Sequence, residues 1–207
     1  MSLKTPKISI ACPVYDMPNG DFFMKRLIKS LEQQTFTDFE LVITQEGKMA
    51  ENTNAAIKKS RGELIKILYM DDYLAHPDAL KNIVDNFAGR WLVTGCNHDN
   101  GIEIFNPHIP YWNPEMVKGA NTIGSPSVLT IKNEDPLLFD ETMTWLLDCH
   151  YYNQMYQKYG VPIFLNSIDV TIGLGPHQMT NILTEEEKER ERNYLANIYD
   201  KNFFNTK

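Results

Sequence analysis

Short apolar runs alternate with amphipathic stretches through the first half of this chain, and the alternation sets the expected architecture. Ile8 to Cys12 is an apolar run ended by Pro13, and reads as a buried strand. Phe23, Leu27 and Leu31 recur every four residues with Ile28 beside them, which is one helical face, capped by Asp21. Glu40 to Thr44 is a second strand. A helix follows from about Met49 to Ser60, with Gly62 in the stop position beyond it. Leu64 to Tyr69 is a third strand. Pro77 opens a helix whose Leu80, Ile83, Val84 and Phe87 form an i, i+3, i+4, i+7 stripe, and Trp91 to Cys96 is a fourth strand. This alternation predicts a largely parallel sheet of right-handed strand–helix–strand units.

After Cys96 the pattern breaks. Asn97 to Asn121 is rich in Asn, His, Pro and Gly and reads as a long loop of the kind that binds ligands. Val128 to Ile131 is a short strand, Leu147 to Lys158 a helix ending at Gly160, and Pro162 to Asp169 another strand. Thr184 and Glu187 make a capping box for a last helix. Its charged run, Glu185 to Arg192, reads as a solvated face laced by pairs such as Glu186 with Arg190, while Tyr194, Leu195, Ile198 and Tyr199 dock it.

Composition narrows the class. The 207 residues are 43% hydrophobic and 23% charged, ordinary for one globular domain. A net charge of -7 argues against nucleic acid as the main partner. Cys12, Cys96 and Cys149 each sit in an apolar run without ligand-like spacing, so they read as core residues in a reducing, cytoplasmic setting. No apolar run approaches the roughly 18 residues of a membrane span.

The chemistry starts where the third strand ends. Asp71 and Asp72 follow it directly, and two charges do not belong inside a buried strand. The C-terminal edge of an open α/β sheet is where ligands bind, and paired carboxylates there suit a divalent cation with its phosphates. They equally suit a turn that leads into the next helix.

Five segments in order carry a resemblance: Pro13-Val14-Tyr15; Asn54-Ala55-Ala56-Ile57-Lys58 followed by Arg61-Gly62-Glu63; Tyr69-Met70-Asp71-Asp72; Phe139-Asp140-Glu141 followed by Trp145-Leu146-Leu147-Asp148-Cys149; and His177-Gln178. From about Ile8 to Thr180 the chain resembles a GT-A glycosyltransferase of the family 2 type. The resemblance implies a single Rossmann-like α/β domain, a mostly parallel sheet flanked by helices and a C-terminal amphipathic helix. Its nucleotide-sugar half would span about 1–96, its acceptor half about 97–183 and the last helix about 184–201. It implies Mn²⁺ or Mg²⁺ held by Asp71, Asp72 and His177. Donor contacts would come from Pro13, Tyr15, Asp16, Gln45, Glu46, Asn54, Lys58, Met70 and Asp71. Asp148 would be the base of an inverting transfer to a carbohydrate acceptor, and Tyr111, Trp112 and Trp145 would meet that acceptor. The donor would be a UDP-sugar, and the chain either a whole enzyme or one domain of a larger transferase.

Two departures matter. Tyr69 replaces the first acid of the metal motif, and Gln45-Glu46 replaces an acidic pair. Plainer readings stand beside several residues: Asp148 as a helix cap, His177 as a loop histidine, Tyr111 and Trp112 as a satellite core. Rival functions are a sugar nucleotidyltransferase and a binding module of the same fold without turnover. A dinucleotide-binding oxidoreductase is disfavoured, because no G-x-G-x-x-G follows the first strand.

Overall fold

The computed structural model describes residues 4–203. Its centre is β1 (Ile8–Pro13), which pairs in parallel with β2 (Phe39–Thr44) on one side and β3 (Leu64–Ile67) on the other. Strand β1 is buried along its whole length. Helices α1 (Gly20–Glu32) and α2 (Met49–Lys59) make the crossovers. After β3 come a two-residue strand β4 (Tyr73–Leu74), helix α3 (Ala79–Asn86), β5 (Trp91–Asp99), β6 (Ile104–His108) and β7 (Leu129–Lys132). Helix α4 (Leu147–Tyr159), strand β8 (Ile163–Gly173), the short α5 (Met179–Ile182) and α6 (Glu185–Phe203) complete the chain.

The sheet runs β2-β1-β3-β7-β5-β8-β4, with β6 on β5. Its longest ladders, β1–β2 and β5–β8, are parallel. Strand β7 lies antiparallel between β3 and β5, so those two strands, consecutive in the expected alternation, are not neighbours. The pattern could not show this, because four apolar residues read the same in either direction.

The local differences have local causes. Asp21 does not cap α1: the helix starts one residue earlier behind Asn19, and Asp21 lies in the first turn, where its charge faces the helix dipole. The segment after Cys96 is not all loop. Strand β5 continues to Asp99 and returns as β6 through Asn100-Gly101, a dipeptide that favours hairpin turns, with Gly101 at φ 85°. Strand β8 extends four residues past Asp169, to Gly173. The capping box forms as read, with Thr184 N donating to Glu187 at 2.8 Å and Glu187 N donating to the Thr184 hydroxyl at 3.3 Å. All three cysteines are buried and unpaired. Among the described residues, no helix is long and apolar enough to cross a membrane.

Candidate active site

Parallel strands end together, and here β1, β3, β5 and β8 deliver their C-terminal ends to one edge. The chain leaves β3 at Ile67 and turns through Asp71 and Asp72. Gly173, at the end of β8, abuts this turn so closely that a Cβ there would lie 2.2 Å from the Asp71 carbonyl oxygen. Arg26 of α1 donates to that same carbonyl at 2.5 Å and to the Asp99 carboxylate, at the end of β5, at 2.6 Å. Its guanidinium stands 4.4 Å from the Tyr73 ring centroid.

The two acids of the turn point to different environments. Asp72 is 2% exposed and accepts from Gly173 N at 2.8 Å, with the Ser125 hydroxyl 3.4 Å from its other oxygen. Burial, and then the charge of Asp71, hold its carboxyl well above the usual range. Asp71 lies nearer the surface, and its Oδ2 is 2.9 Å from His177 Nε2. The His177 ring leans on Phe23 of α1, with centroids 5.1 Å apart. A carboxylate and an imidazole in contact are a donor pair for a divalent cation. Among the described residues, no group of three or more His, Cys, Asp or Glu side chains converges as a ready-made cage. A two-donor site is the kind that a diphosphate and water complete.

Asp148 reaches the same region through a short turn. The Asn121 side-chain amide donates to Asp148 Oδ2 at 2.7 Å, and its oxygen accepts from the N–H groups of Ile123 and Gly124. Four residues on, Ser125 faces Asp72. Residues 121–125 thus run from one acid to the other. Burial pushes the Asp148 pKa up to about 6, opposed by hydrogen bonds from Cys149 and Asn121. Asp148 does not cap α4. It lies in the first turn, behind Leu146 at the cap position.

No family model matches the chain, and no curated protein matches it in sequence. Solved structures do match it in shape. TarS 1-349 from S. aureus in complex with UDP superposes with a TM-score of 0.59 at 15% identity, over 82% of this chain and 61% of TarS 1-349. The same TarS fragment in complex with UDP-GlcNAc gives 0.59 at 15% identity, over 86% and 61%. The mannosyltransferase PcManGT from Pyrobaculum calidifontis, in complex with GDP-Man and Mn²⁺, gives 0.54 at 14% identity, over 85% and 59%.

The fold is GT-A-like.

The chain spans about three fifths of the length of these structures. Within the GT-A-like fold, the other expected residues take definite places. Pro13 is buried at the end of β1, and Met70 receives the Tyr15 N–H on its sulfur at 3.1 Å. The Tyr15 hydroxyl is buried and lacks a well-aligned hydrogen-bond partner. Asp16 and Gln45 are exposed. Glu46 and Lys58 line a cavity of about 350 Å³ with Glu51, Lys59 and Glu141. Asn54 is buried and has its amide occupied: it accepts from Phe139 N at 2.8 Å and donates to Phe139 O and Glu141, both at 2.9 Å. Tyr69 is turned inward, its hydroxyl 3.4 Å from the Thr53 hydroxyl. Trp112 stacks on Tyr156 with centroids 4.0 Å apart, whereas Tyr111 is exposed. Trp145 donates to the Thr180 hydroxyl at 3.2 Å.

Four residues that the sequence reading passed over stand close to this edge. Arg26 and Asn121 hold the acids, as described. Asn52 ties the exits of β1 and β2 together, donating to Val14 O at 2.9 Å and accepting from Glu46 N at 3.0 Å. Lys66, in the middle of β3, is fully buried, with its ammonium on the carbonyls of Ser127 and Leu129. Burial pushes its pKa down to about 7 against the opposing pull of Asp169 and Asp72. Only Lys66 carried a sequence signal: a charge at the centre of an apolar strand needs internal partners.

Proposed function

We propose that this chain transfers a sugar from a nucleoside diphosphate sugar to a hydroxyl of a carbohydrate acceptor, with inversion at the anomeric carbon. The observation that carries the reading is the meeting of Asp71 and His177 at the C-terminal edge of the sheet, with Asp148 joined to that edge through residues 121–125. In this reading Asp71 and His177 hold Mn²⁺ or Mg²⁺ together with the donor diphosphate. A bound cation would supply Lewis-acid neutralisation of the leaving group. Asp72, with both oxygens turned inward, orients the turn. Asp148 takes the proton from the acceptor hydroxyl, and its raised pKa suits a base that works near neutrality. A single carboxylate base opposite the leaving group makes this a direct displacement. In the family resemblance Tyr15 and Gln45 would flank a pyrimidine-sized pocket, which supports a uridine or thymidine diphosphate sugar as the donor.

Tyr69 in place of an acid favours a second reading, a nucleotide-sugar-binding module without turnover. Transfer assays over a panel of nucleotide sugars, with and without Mn²⁺, test both. Metal-dependent transfer with an inverted product supports the enzyme. Metal-dependent binding without turnover supports the module. GDP binding more tightly than UDP would count against the pyrimidine donor.

A further inference from the structure

The charged run at the start of α6 reads as a solvated face, yet one member is not solvated. Glu191 is 7% exposed. Its carboxylate accepts three backbone hydrogen bonds, from Thr144 N at 2.7 Å, Trp145 N at 2.9 Å and Leu146 N at 2.8 Å. These N–H groups lie in the turn that leads into α4, and the last of them, that of Leu146, is at the cap position of the helix. Leu146 itself offers no side-chain acceptor there. Glu191 supplies one from 45 residues away.

Other contacts of α6 fall on the same segment. The Tyr194 hydroxyl donates to Asp140 at 2.8 Å, and the Tyr199 hydroxyl is 2.7 Å from His150 Nδ1. Lys188 and Arg192 stand 5.7 and 5.0 Å from the Trp145 ring centroid. Beneath them, Trp145 is bonded to Thr180, three residues past His177. One helix therefore holds both the segment that presents Asp148 and, through Trp145, the stretch that follows His177.

We propose that Glu191 is a positioning residue: by gathering the N–H groups of residues 144–146, it fixes where α4 begins and so where Asp148, two residues on, presents its carboxylate. What Asp148 then does rests on the glycosyl-transfer reading; the ordering of the segment does not. A carboxylate suits this place because its two oxygens can accept all three bonds. Glutamine offers one oxygen and turns an amide donor towards donors. Aspartate keeps the acceptors but falls one methylene short.

Glu191→Gln and Glu191→Asp test the proposal in the full chain, by amide hydrogen exchange over 144–150, by donor affinity and by kcat. Exchange in that segment should accelerate in Glu191→Gln, while UDP-sugar affinity stays within about twofold, because Asp71 and His177 themselves are held by Gly173 and Phe23 and not by residues 144–146. The kcat should fall on the order of 10- to 100-fold, the scale of a small misplacement of a reacting group. Glu191→Asp should recover part of both losses. Unchanged exchange, or faster exchange with a normal kcat per folded molecule, would overturn the proposal. If Glu191→Gln does not fold, the same readings on Glu191→Asp decide. A wild-type protein inactive with every donor brings down the transfer reading alone, and the exchange data still decide whether Glu191 orders the segment.

Discussion

His177 Nε2 and Asp71 Oδ2 meet at 2.9 Å across 106 positions of sequence. One comes from the turn after β3, the other from the loop after β8, and the close passage of Gly173 against Asp71 lets them meet. If the pair holds a cation, Asp71→Ala should abolish Mn²⁺-assisted nucleotide binding. His177→Ala should weaken it by about tenfold or more, equivalent to roughly 1.4 kcal/mol. Both variants should stay folded by circular dichroism. Titration calorimetry with and without Mn²⁺ measures this, and metal-dependent affinity equal to wild type in Asp71→Ala would remove that residue as a ligand.

Asp148→Asn keeps the shape of the side chain and removes its basicity. It should lower kcat by a factor on the order of 10²–10⁴ with little change in donor affinity. In the unmodified protein Asp148 must be ionised to accept a proton. With its pKa raised to about 6, kcat/KM should therefore fall as pH drops through that value. An acid limb near 4 would contradict the buried setting of this carboxylate.

Lys66 makes stability depend on pH in the alkaline range. The folded pKa is about 7, against an ordinary 10.5. Between those values the unfolded chain binds more protons, so this group makes stability rise with pH there; below about 7 the full penalty of burying the charge is present. Lys66→Met removes the titration. Comparing urea midpoints of the two proteins at pH 7 and pH 9.5 isolates it, since the variant should lose ground to wild type as pH rises. A stability difference that is the same at both pH values would refute the assignment.

Gly173→Ala should disturb the site from behind. The added methyl has no room beside the Asp71 carbonyl or Arg26, so the turn must shift and the bond from Gly173 N to Asp72 must weaken. A loss of about 1–3 kcal/mol in stability, with reduced metal-dependent binding, is expected. Normal denaturation and normal binding would show that the turn adapts freely.

How much of this was legible in the sequence depends on distance along the chain. Strands β1 to β3, helices α1 and α2, and the emergence of Asp71-Asp72 at a strand end follow from periods of 2 and 3.6 and from the solvation of charge. The hairpin of β5 and β6 was also legible, in Asn100-Gly101, but lay inside a polar stretch that reads as loop. The antiparallel place of β7 was not, because strand direction is set by tertiary pairing. Nor was Glu191 distinguishable from Glu186 or Glu189: all share a charged helical run, and only the docking of α6 selects which one is buried. His177 could be suspected, but its partner could not be fixed, since Asp71 and Asp72 are equivalent until Gly173 and Ser125 claim the second.

The placement of β7 has a consequence for the order in which the protein can assemble. Strands β1, β2 and β3 can close on one another as soon as Ile67 is made, but β3 then has an open edge, and so does β5 when it appears. The strand that joins them, Leu129–Lys132, arrives later in the sequence than both. Until then a growing chain carries unpaired strand edges on β3 and β5, the kind of surface that recruits strands from other molecules. A fragment ending at residue 128 should accordingly aggregate far more readily than one ending at residue 134, which differs from it by β7. Light scattering of the two at equal concentration would show whether residues 129–132 act as the keystone of this sheet.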